Sequence, residues 1–158
     1  MAITLEYTLD ITRKNRIILK NFLESIALED LNTIPEGYNN NIVWNIAHVV
    51  ATQQLLVYKL AGATPRVSQE FIDKYRKGTK PEESVNQDEI DQISVLLEST
   101  LEQTVEDYKD GKFKGFTEYT VSTGSTLSSV EEAIGFNNFH EGIHLGSVLA
   151  LRHAIGLV

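Results

Sequence analysis

Four stretches of this chain repeat apolar residues at the spacing of one helix face, and segments marked by Pro, Gly and polar residues separate them. The first spans about 4–27, with Ile11, Ile18, Phe22 and Ile26 on one stripe and Arg13, Lys14, Arg16 and Lys20 largely outside it. The second covers about 41–60, carries Trp44, His48, Ala51, Thr52 and Leu55 on its stripe, and stops at Gly62. The third, about 87–109, opens with the cap-like run Asn86-Gln87-Asp88-Glu89 and aligns Ile90, Ile93, Leu97, Leu101, Val105 and Tyr108. The fourth, about 130–155, follows two possible capping boxes, Ser128-x-x-Glu131 and Ser129-x-x-Glu132.

Between these lie 29–40, broken by Pro35 and Gly37, and 63–85, long and polar, where Ser68 can cap a short helix through Tyr75. The Gly-, Thr- and Ser-rich 111–127 offers one short extended piece over 118–122. A chain of 158 residues builds one sizeable core. The expectation is therefore an all-α single domain over 1–158, an antiparallel four-helix bundle.

Charge and residue usage exclude several functions. A net charge of −8 argues against the dense basic face that neutralises nucleic-acid phosphates. No apolar run reaches the roughly 18 residues that span a membrane, and residues 1–16 lack an apolar signal core. With no cysteine there is no disulfide, no thiolate-bound zinc and no cysteine nucleophile, which fits a reducing cytoplasm. Neither a Gly-rich phosphate loop nor a G-x-S-x-G elbow is present. The basic residues Lys59, Arg66, Lys74, Arg76, Lys77 and Lys80 cluster in or beside one connection, either to steer an anion or simply as solvated charge. The acidic side of the third helix reads as an outer face.

The chemistry concentrates in His140-Glu141-Gly142-Ile143-His144. At about 100° per residue, two imidazoles four apart share a helix face and can grip one metal ion. Asn137 lies on the same stripe, whereas Gly135, Gly142, Gly146, Leu149 and His153 fall on the opposite side. His153 therefore reads as an ordinary surface or interface histidine. The bare glycine side implies close approach of another backbone, within the bundle in preference to across a dimer. His48 is the remaining histidine able to supply a third ligand; a buried polar group on its apolar stripe needs a partner. Three histidines that are merely hydrogen-bonded core residues remain the competing reading. The letters also match H-E-x-x-H, but Ser147 and Ala150 stand where the extended zinc-protease motif needs Gly and His, and little chain follows. Glu141, at the margin of the ligand stripe, is a candidate general base or ligand-orienting group, with an ion-paired Glu as the alternative.

Asn41-Ile42-Val43-Trp44-Asn45-Ile46-Ala47-His48 resembles the W-x-x-x-H segment of DinB-like proteins (the DinB/YfiT superfamily), and Phe139-His140-Glu141-Gly142-Ile143-His144-Leu145-Gly146 resembles their H-x-x-x-H-x-G segment. The resemblance, over nearly the whole chain, implies an up-down-down-up four-helix bundle. It implies a divalent metal, often nickel or zinc, on His48, His140 and His144, and frequently a homodimer. Some members are thiol-dependent transferases or isomerases. Two functions then stand side by side. One is a metal-dependent transferase or hydrolase acting on a small molecule, possibly using a low-molecular-weight thiol, with Trp44, Thr52 and Asn137 around the metal. The other is a metal-binding or stress-response module without catalysis.

Overall fold

Each of the four long periodic stretches becomes a helix, and each begins where a side chain caps it. The computed structural model describes residues 4–157; the remaining residues of the expected 1–158 domain lie outside the described residues. Helix α1 (Leu5–Ser25) starts at Thr4, whose hydroxyl accepts from the Tyr7 amide. A five-residue helix, α2 (Leu28–Asn32), follows without a side-chain cap, too short for periodicity to betray it. Asn41 caps α3 (Ile42–Gln53) by accepting from the Trp44 amide. The chain then widens into a π-helical segment, Gln54–Lys59, in which Leu60 N–H donates to the Leu55 carbonyl.

Ser68 caps the expected short helix α4 (Gln69–Tyr75), and Asn86 caps α5 (Gln87–Lys109). The extended piece is real but small: β1 (Tyr119–Thr120) pairs antiparallel with β2 (Thr126–Leu127), Tyr119 opposite Leu127. Ser129 caps α6 (Val130–Ala154) by accepting from the Glu132 amide, and the Glu132 carboxylate accepts from Ser128 N–H. Of the two boxes read in the sequence, the one anchored on Ser129 supplies the cap.

α6 packs against α1 and α3, and α5 packs against the same two helices; α2 and α4 lie on α3. This explains why α3 is enclosed on every side: Thr52 alone among its twelve residues is not buried. One core cluster gathers Leu19, Ile46, Val50, Ile93, Leu97 and Leu151, and a second gathers Tyr58, Leu101, Val121, Leu127 and Ile134. Among the described residues, no helix is long and apolar enough to cross a membrane.

Three local expectations need correction. The inner face of α1 is Leu9, Thr12, Arg16, Leu19 and Leu23, whereas Ile11 and Ile18 are 40% and 42% exposed. The cause is Arg16, drawn inside because it meets Glu141 of α6: Nη2 lies 2.7 Å from Oε1, and Nη1 donates to the Leu97 carbonyl and the Thr100 hydroxyl. Next, Gly135, Gly142 and Gly146 face open space, where an added Cβ would meet nothing within 4 Å. Among the described residues no backbone therefore makes a close approach there. Last, α5 is not acidic only outside. Asp107 is fully buried, bonded to the Tyr58 hydroxyl at 2.8 Å and paired with Arg66 and Lys112.

Candidate metal centre

α3 and α6 place three imidazoles against one another. His48 of α3 faces His140 and His144 of α6, with ring centroids 5.1 and 4.6 Å away; the α6 pair are 4.5 Å apart. One nitrogen from each lies within 4.8 Å of those of the other two. Tetrahedral imidazole ligands at about 2.0–2.1 Å from an ion sit about 3.4 Å from one another, so small ring rotations close the set.

Two of the rings have their tautomers fixed by neighbours. His48 Nδ1 lies 2.6 Å from the Tyr75 carbonyl, the last residue of α4. A carbonyl only accepts, so Nδ1 carries the hydrogen and Nε2 keeps its lone pair. The Thr52 hydroxyl sits 3.2 Å from that Nε2 and donates to it. His144 Nδ1 lies 2.8 Å from Asn45 Oδ1, while the Asn45 amide donates to the Asn41 carbonyl and Asn40 Oδ1. That network leaves Oδ1 as the acceptor, so the Nε2 of His144 keeps an unoccupied lone pair, whereas that of His48 accepts from Thr52. Trp44 stacks on His48 at 4.6 Å and 12°, and its indole N–H donates to Thr79 Oγ1. An acceptor behind a ligating imidazole, taking the hydrogen of its other ring nitrogen, orients the ring and raises its basicity.

His140 differs: its Nδ1 is buried without a hydrogen-bond partner. Burial pushes all three imidazoles below their ordinary pKa. For His140 desolvation comes first, then the proximity of His48, bringing it to about 4. For His144, desolvation followed by His140 and His48 brings it to about 3. The cluster is neutral at pH 7, the form that binds metal. Neutral imidazoles presenting lone pairs to each other, with one buried nitrogen unsatisfied, fit a cation better than they fit hydrogen bonding alone.

The histidines line a cavity of about 620 Å³, walled by Leu55, Leu56, Leu60 and Phe136 and reached by Tyr119, Val121 and Ser122 of the hairpin region. Trp44 and Thr52 line it as the sequence suggested. Asn137 and Glu141 lie elsewhere: the Asn137 amide donates to Glu141 Oε1 at 2.8 Å, and Glu141 is wholly enclosed in its pair with Arg16. Of the two readings offered for Glu141, the ion-paired one describes its position. His153 is exposed, on the side of α6 away from the cluster.

Sequence reasoning missed Asn45 and Tyr75, which orient two of the rings. Asn45 carried a signal, a polar residue one turn from Asn41 in an otherwise apolar helix. The Tyr75 contribution is a backbone carbonyl and carried none. Lys59 and Lys77 at the cavity were visible only as members of a basic run.

Comparison with known proteins agrees with this architecture. The family model described as the DinB superfamily matches residues 11–148. Among solved structures, the conserved protein of locus from Enterococcus faecalis superposes with a TM-score of 0.66 at 12% identity, covering 98% of each chain. At that identity the likeness concerns the fold alone. No curated protein matches the sequence.

Proposed function

The chain belongs to the DinB superfamily, and from that premise we propose that it is a metal-dependent enzyme acting on a small molecule, a transferase or a hydrolase. The observation that carries this reading is the junction of the three-histidine cluster with a cavity of substrate size. His48, His140 and His144 are the proposed ligands of a divalent ion, nickel or zinc; both accept imidazole. Such an ion acts as a Lewis acid and makes a water or thiol more acidic.

The chain's own residues do the rest. Tyr75 and Asn45 hold two rings in the ligating tautomer. Thr52, half-buried and beside His48, offers a hydroxyl at the cavity wall. The apolar walls exclude water from the reacting end. Because the chain has no cysteine, a thiol used in transfer comes from outside as a low-molecular-weight compound. Glu141 is read as a support that ties α6 to α1, not as the general base.

Two further elements belong to this reading. The long connection between α3 and α5 gives the chain room to cross the molecule, so that successive long helices run the same way in an up-down-down-up bundle. The exposed stripe Phe139, Ile143 and Leu149 on α6, beside glycines with open space, supports a homodimer. A cytoplasmic setting fits the absence of cysteine.

Turnover of a thiol–electrophile pair tests the enzyme reading. It predicts activity that requires added metal and disappears in His48→Ala. Metal binding with no turnover across thiol-transfer and hydrolytic substrates favours the non-catalytic metal module instead.

A further inference from the structure

The cavity has a charge pattern that the neighbouring groove across Trp44 lacks. Among the described residues its charged walls are Lys59, which ends the π-helical segment, and Lys77, just beyond α4. No Asp or Glu lines it. Three other cations from the same basic run are matched, Arg66 with Asp107, Lys74 with Glu89 and Arg76 with Asp73, while Lys80 lies in the acidic groove on the far side of Trp44. Among the described residues the ammonium group of neither Lys59 nor Lys77 has an ion-pair or hydrogen-bond partner. The contrast across Trp44 is direct, because the groove on its other side is lined by Glu70, Asp73, Glu82 and Glu83 as well as lysines.

Two unmatched ammonium groups in a chain of net charge −8 make a local positive field. Apolar walls of low polarisability focus that field into the cavity. The same walls, Leu55, Leu56 and Phe136, reward burial of hydrocarbon.

We propose that the cavity takes a small amphipathic anion, its hydrocarbon part against Leu55, Leu56 and Phe136 and its anionic group at Lys59 and Lys77. This rests on the proposed function, in which the same cavity brings substrate to the histidine cluster. The lysines select the substrate class and leave the cluster itself untouched.

The probes are phenylbutyrate and its neutral counterpart phenylbutanol, titrated into protein stripped of metal by chelator. Stripping prevents a carboxylate–metal bond from imitating the lysine contribution. Trp44, the chain's single tryptophan, lines the cavity and reports occupancy by fluorescence. Phenylbutyrate is expected to bind about tenfold or more tighter than phenylbutanol, and the gap to shrink at high salt. The double variant K59M/K77M keeps both aliphatic stems and removes both charges. It should bring the two probes to similar affinity while phenylbutanol binding stays within about twofold of native. Equal affinities in the native protein, a gap that survives in the variant, or no binding of either probe overturns the proposal. Zinc uptake is measured separately: a native protein that takes up zinc but shows no anion preference condemns the anion site alone, whereas absent uptake in the native protein condemns the metal reading.

Discussion

His48 is fixed from three directions: by the Tyr75 carbonyl at one nitrogen, the Thr52 hydroxyl at the other and the Trp44 ring on its face. His144 depends on one side-chain partner, Asn45, which makes Asn45 the sharper test of ring orientation. Asn45→Ala is expected to weaken zinc binding by about 10–100-fold in a competition titration, with helicity preserved. The same imidazoles set a pH dependence. In the metal-free protein their folded pKa values lie below the ordinary 6.5, near 4 for His140 and near 3 for His144. The unfolded chain therefore takes up protons first as pH falls. This contribution to stability is complete above about 6.5 and is lost progressively down to about 3. Urea midpoints of metal-free protein should decline over that window, and His140→Phe should flatten the decline. The His140/His144 pair was readable from spacing, because four residues on a helix is a geometric statement, and His48 was reached as the remaining histidine on a core stripe. Of their orienting partners Asn45 left a signal as a buried polar residue, while the Tyr75 carbonyl on α4 leaves no trace in residue identity.

Among the elements, α1 and α6 show where periodicity misleads. Counting apolar residues put Ile11 and Ile18 inside and Arg16 outside, yet the helix turns its Arg16 face inward to meet Glu141. A guanidinium is buried only where a carboxylate waits, and that carboxylate is 125 positions away in sequence. Glu141→Gln leaves Arg16 buried beside a neutral amide. The expected loss is roughly 3–5 kcal/mol in a urea unfolding series, most of it regained in the double variant Arg16→Met/Glu141→Leu. A general-base role would predict lost turnover with little change in stability. The starts of the long helices were legible because Asn41, Asn86 and Ser129 are strong caps. The π-helical turn was not, because Gln54–Lys59 sits in a stretch apolar on several sides, where one extra residue per turn leaves no gap in the pattern.

At the scale of the whole molecule, the ring of α1, α6, α3 and α5 leaves one side of α6 uncovered. Phe139 is 53% and Leu149 47% exposed, on the same side as glycines that meet nothing. Sequence reasoning found that bare face but favoured intrachain packing for it. Only the positions of the neighbouring helices decide which side stays open. If a second copy covers it, light scattering will give twice the mass expected for 17.7 kDa, and Phe139→Glu/Leu149→Glu will halve it without changing metal content. The most direct test of the account is elemental analysis of protein purified without an affinity tag or added metal, native beside His48→Ala. The account predicts about one equivalent of a transition metal per native chain and almost none in a variant of native helicity. Metal content unchanged in the variant, or a native protein that carries none and takes up neither zinc nor nickel on titration, would contradict it.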